Sequence, residues 1–91
     1  MAVAVPAHAV PRLAPGALVR RDRVRNEEQL LMPERIVRLN GPGAAILRCC
    51  NGQRTVDDVV RTLQEQFGRD DLADDVHRFL ADFAEKGWVQ W

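Results

Sequence analysis

Between Ala17 and Leu39 the chain reads "ALVRRDRVRNEEQLLMPERIVRL", short runs of Val, Leu and Ile broken at "NEE" and at "MPE". Brief aliphatic runs bounded by polar turn signals predict strands. They are placed here over Leu18–Val24, Gln29–Met32 and Arg35–Leu39, joined by tight turns as an antiparallel meander. Pro33 falls between the second and third, where no ladder donor is needed. After Leu39 the spacing of apolar positions becomes helical. Asn40 stands at an N-cap, Pro42 in a first turn whose N–H groups have no helical acceptor, and Gly52 follows Asn51 as a left-handed stop, which predicts a helix over about 41–50. A second helix starts behind Thr55, with Asp58 completing a capping-box pattern, and carries Val56, Val59, Val60, Leu63 and Phe67 on one face before Gly68. A third runs from a cap region at Asp70/Asp71 through Leu72, Val76, Phe79, Leu80 and Phe83 to Gly87. The terminal "WVQW" reads as a short extended end. The fold class is therefore α+β, a small three-stranded antiparallel sheet followed by three helices, in an order compatible with a winged helix-turn-helix arrangement.

The first sixteen residues, "MAVAVPAHAVPRLAPG", have a different composition. Three prolines remove donors, and the Ala/Pro mixture lacks the large side chains a core needs, so residues 1–16 are expected to form a flexible or extended tail and residues 17–91 the folded domain. The stretch has no basic n-region, and no segment of the chain approaches the length of apolar sequence a membrane span requires, so neither a signal peptide nor a span is expected.

Charge changes the picture more than composition does. The formal net charge is zero, yet residues 1–48 hold eight arginines against four acids while residues 49–91 hold five basic side chains against nine acids. The basic half is all arginine, whose planar fork suits carboxylate partners. The acids crowd the helices: Asp70, Asp71, Asp74, Asp75, Asp82 and Glu85 stand against Arg69, Arg78 and Lys86 on the third, and Asp57, Asp58 and Glu65 against Arg61 on the second. A recognition helix needs cationic and amide side chains aimed at phosphates and base edges, so DNA binding is disfavoured although the order of elements permits it.

Catalytic chemistry finds no foothold. There is no Gly-rich phosphate loop, no H-E-x-x-H, no nucleophile elbow and no tyrosine. His8 and His77 are each alone, and neighbouring acids such as Asp74/Asp75 point apart on a helix. Cys49 and Cys50 are adjacent, which suits neither a disulfide across the fold nor C-x-x-C metal spacing, and they are expected to be buried small hydrophobes in a reducing cytoplasm. A binding module without cofactor or metal remains.

Two runs, "LMPERIVRLNGPGAAILRCCNGQRTVDDVVRTLQEQF" and "DDVHRFLADFAEKGWV", carry a resemblance. The order and spacing of Pro33 and Glu34, Leu39 and Asn40, Ile46, Leu47 and Cys50, Gly52, Thr55 and Val56, then Asp75, Val76, Phe79 and Leu80, resemble the PqqD family, the peptide chaperones of pyrroloquinoline quinone biosynthesis. The likeness covers roughly residues 17–91. It implies a RiPP recognition element that binds a ribosomally made precursor peptide (PqqA-like) and presents it to a radical S-adenosylmethionine enzyme (PqqE-like), which joins a Glu and a Tyr of the peptide. The clusters and S-adenosylmethionine would belong to that partner.

The family also implies the site, with the peptide added as an extra strand along the third strand, against the third helix. On this sequence that selects Arg35, Ile36, Val37, Arg38 and Leu39, with Val76, Phe79, Leu80 and Phe83 as the groove wall. A free sheet edge offers unpaired N–H and C=O groups to such a strand, which agrees with the reading of the residues. Alternation puts Val37 and Leu39 on one face and Ile36 and Arg38 on the other, leaving open which pair serves the core. Arg35 and Arg38 are candidates to meet acidic side chains of the peptide. The oligomeric state, monomer or homodimer, also stays open, because a free edge can pair with its own copy.

Overall fold

A computed structural model describes residues 4–91. The chain runs through a short strand β1 (Arg12–Leu13), the meander β2 (Leu18–Asp22), β3 (Glu27–Met32) and β4 (Arg35–Leu39), helices α1 (Gly41–Cys49), α2 (Val56–Phe67) and α3 (Ala73–Glu85), and a last strand β5 (Val89–Gln90). The three meander strands form an antiparallel sheet in the order β2-β3-β4, and the α+β class is the one the sequence predicts.

One face of that sheet carries Val19, Leu30, Val37 and Leu39. Leu30 is fully buried and joins Ala44, Ile46 and Leu47 of α1, Val56, Val59, Val60 and Leu63 of α2 and Val76, Leu80 and Phe83 of α3 in one core. Thus the helical stripes expected from spacing are the buried faces, except that Phe67 at the end of α2 is 46% exposed, and Cys49 and Cys50 are buried with them.

Helix starts follow side-chain chemistry. The Asn40 side-chain oxygen accepts the Gly43 N–H at 2.7 Å, and Thr55 and Asp58 satisfy each other's backbone donors at 3.1 Å in both directions. The third helix departs from expectation: it begins at Ala73 behind Leu72, with no side-chain cap. Asp71 is unavailable for capping because Arg69 grips both its oxygens at 3.0 Å.

Two strand ends also shift. The first meander strand stops at Asp22 rather than Val24, because the Asp22 carboxylate accepts the N–H groups of Val24 and Arg25 and turns the chain. β3 starts at Glu27 rather than Gln29, drawn into register by the pairs Asp22–Glu27 and Arg21–Glu28.

Over residues 1–16 the sequence predicts a flexible or extended tail. Met1–Val3 lie outside the described residues, but the rest of the segment is fastened to the body. The carbonyls of Ala7 and Ala9 accept the N–H groups of Asp57 and Val56, the first-turn donors of α2, and Pro11 accepts from Gly52. β1 then pairs antiparallel with β5, Arg12 opposite Gln90 and Leu13 opposite Val89, and Pro11 is among the fully buried side chains. Proline has no donor to lose, yet its carbonyl and those of its neighbours remain good acceptors, which the composition argument ignored. The boundary expected near residue 16 falls inside this set of bonds.

Candidate functional site

The meander leaves β4 with a single strand neighbour. β3 and β4 are joined by the two-residue turn Pro33–Glu34, and the pair flanking such a turn, Met32 with Arg35, is the hydrogen-bonded one. Antiparallel pairing then alternates, so Arg35, Val37 and Leu39 bond inward to β3 while Ile36 and Arg38 turn their N–H and C=O groups to the open side. The faces left open by the sequence are settled too. Val37 and Leu39 point to the core side, whereas Ile36, 66% exposed, and Arg38 stand on the outer face.

On the core side of β4, α3 supplies the neighbouring wall, but fewer of its residues reach the surface than expected. Val76 and Leu80 are fully enclosed, and Phe83 and Leu39 are buried as well, so these four belong to the core rather than to an open groove. The same stripe has to cover α1 and α2, which consumes it. Phe79 is the exception: it is half-buried, and its ring stacks on Phe83 with centroids 4.1 Å apart. The ring lies so close to the first turn of α1 that a Cβ on Gly43 would stand 3.0 Å from it and 2.9 Å from the capping oxygen of Asn40. Gly43 therefore sets how deep Phe79 sits.

Trp88 was missed by the sequence reading, although its signal was present. The Gly87 N–H bonds to Ala84 and the Trp88 N–H to Phe83, with Gly87 at φ +80°, a Schellman ending whose two hydrophobic positions are Phe83 and Trp88. The indole meets Phe83 edge-on at 5.3 Å. Arg35 lies 5.8 Å and Lys86 5.1 Å from its ring, within cation–π range. These residues, with Met32, Pro33 and Glu34, line an open cleft of about 530 Å³ beside the β3–β4 turn.

The electrostatics fit binding better than chemistry. Burial pushes the Cys50 thiol up to about 12, and its Sγ donates to the Ile46 carbonyl at 3.3 Å, as a thiol packed in the core does. Among the described residues no group of three or more His, Cys, Asp or Glu is arranged to hold a metal, and no helix is long and apolar enough to cross a membrane. Asp74, Asp75, Asp82 and Glu85 give α3 an exposed acidic surface.

Glu28 ties the sheet to α1. Arg48 at 2.6 Å, and then Arg21 at 3.3 Å, hold its carboxyl below the ordinary value of 4.5. A carboxyl lowered by folding contributes stability that is complete above its unfolded value and is lost as pH falls through its folded value. The denaturant midpoint is therefore expected to drop as pH falls below 4.5, and Glu28→Gln to remove part of that drop. Parallel pH profiles for the two proteins would show that this ion pair is not linked to folding.

Residues 29–89 match the family model described as Coenzyme PQQ synthesis protein D (PqqD). The chain is 34% identical over 82 residues to a PqqA binding protein of Azotobacter vinelandii, covering 89% of each. It is 35% identical over 79 residues to the bifunctional coenzyme PQQ synthesis protein C/D of Methylorubrum extorquens, covering 85% of this chain and 21% of that one. The solution NMR structure of the PqqD truncation of Methylobacterium extorquens PqqCD, described as a functional and stand-alone RiPP recognition element, superposes with a TM-score of 0.81 at 32% identity, over 97% of this chain and 96% of that one. The agreement extends to the meander, the three helices and the order that joins them, and the chain belongs to the PqqD family.

Proposed function

We propose that this protein is a peptide chaperone that binds the PqqA precursor peptide and presents it to the radical S-adenosylmethionine enzyme that cross-links a Glu and a Tyr within it. The role is binding rather than catalysis, in the cytoplasm, with the redox chemistry confined to the partner enzyme. The observation that carries the reading is the open β4 edge: Ile36 and Arg38 direct their backbone groups outward on a strand whose Arg35 lies over the half-covered Trp88 and whose end leads into the α1 turn that meets Phe79. An extended peptide completes the ladder there, its backbone supplying affinity and the side chains facing Val37, Phe79 and Trp88 supplying selectivity. Only the strand-forming part of the peptide is immobilised, so the chain flanking it stays free to enter an active site.

Titrating the precursor peptide into isotope-labelled protein tests this. Saturable amide shifts are expected along 35–39, at Phe79 and at the Trp88 indole N–H. No change at high peptide excess, in a sample shown by dilution to be monomeric, would overturn it.

A further inference from the structure

The outer face of the β2–β3–β4 sheet is organised in rows. Cross-strand partners place Leu18, Leu31 and Ile36 in one line, Arg20, Gln29 and Arg38 in the next, and Asp22 with Glu27 in a third. The first row is apolar yet uncovered at both ends, Leu18 being 50% and Ile36 66% exposed. In the second, Gln29 is only 4% exposed, because it is flanked by arginines and its amide nitrogen donates to Asp22 and Glu27. Arg38 ends that row at the open edge. Its Nε is held by Glu27 at 2.9 Å, while its two terminal nitrogens have no acceptor among the described residues. The Arg38 side chain is 77% exposed, so this is a solvent-facing ion pair that leaves the fork open to an incoming carboxylate.

Resting on the docking of peptide at β4, we infer that these rows set the register of the bound strand: it carries a carboxylate side chain beside Arg38 and an apolar one beside Ile36, two residues apart. The outward backbone groups belong to Ile36 and Arg38 themselves, so the peptide residues that pair with them place their side chains on this same outer face, whichever way the peptide runs. Each then extends an existing row by one member, apolar beside Ile36 and acidic beside Arg38. The residue between them points to the other side, over Val37 and Phe79. A peptide shifted by one residue would send the carboxylate into that apolar side and leave the Arg38 fork unpaired.

A displayed library of random twelve-residue peptides, selected on the full chain, reads this directly. Selection on the natural protein is expected to enrich Asp or Glu two positions from a Val, Ile or Leu. On Arg38→Glu the same spacing is expected with Lys or Arg in place of the acid. Arg38→Gln, which adds no charge beside Glu27, should keep the apolar position and lose the acid preference. A selected peptide should bind Arg38→Glu on the order of five-fold more weakly, and recover when its acid is changed to Lys. Acids enriched alike on all three proteins, or at no fixed spacing, would overturn the register while leaving the docking edge in place if Arg38→Pro still loses those peptides. Selected peptides that bind Arg38→Pro undiminished, or the absence of any enrichment, would overturn register and docking together.

Discussion

Arg38→Pro is expected to weaken precursor-peptide binding by roughly ten-fold or more while the protein still unfolds cooperatively. Proline removes the one outward donor at that position and leaves a peptide carbonyl without its partner, and a buried unsatisfied acceptor costs about 1–3 kcal/mol. The fold tolerates the change because β4 is an edge strand whose outward N–H has no backbone partner among the described residues. The proline also removes the exposed Arg38–Glu27 ion pair, and Arg38→Ala, which removes that pair but keeps the donor, measures this part separately. Val37→Pro should do the opposite, costing about 1–3 kcal/mol of stability, since the Val37 N–H belongs to the β3–β4 ladder and its acceptor would be left unpaired. Calorimetric titration of the three variants decides the matter: Arg38→Pro binding as tightly as Arg38→Ala would place the docking edge elsewhere.

Leu80→Ala and Phe79→Ala should separate two roles carried by neighbouring residues of one helix. Leu80 is fully buried in the common core, and its truncation is expected to cost about 2–5 kcal/mol. For a domain of this size that lowers the melting temperature by at least roughly 10 °C. Phe79, half-exposed over Gly43 and Phe83, should cost clearly less stability but weaken peptide binding several-fold. Thermal melts and titrations on both variants provide the comparison. Equal losses of stability would mean that Phe79 is core, and unchanged peptide binding in Phe79→Ala would remove it from the groove.

Legibility from sequence varied with how local the determining interaction is. The caps at Asn40 and Thr55 and the aliphatic stripes of the helices could be read residue by residue, because the partners lie within a turn of each other. The edge strand Arg35–Leu39 emerged with its bounds intact for the same reason, being set by Pro33 and Asn40 on either side. What the residues did not disclose depends on partners far along the chain. The bonds from Ala7, Ala9 and Pro11 use carbonyls, which every residue type carries, so no composition betrays them. The burial of Val76 and Leu80 was undecidable from periodicity, since a helical stripe looks alike whether it faces a core or a groove. Trp88 sits between these cases: a Phe, a Gly four residues on and an aromatic next to it is a readable Schellman pattern.

The pairing of β1 with β5 brings Arg12 opposite Gln90, outside the β2–β3–β4 sheet that offers the edge, and ahead of Arg12 the chain continues through Pro11, Ala9 and Ala7 to the first turn of α2. A tether attached at the C-terminal end therefore starts beside β1, whereas one attached ahead of Ala7 starts at the first turn of α2, so the two set different effective concentrations for whatever they carry.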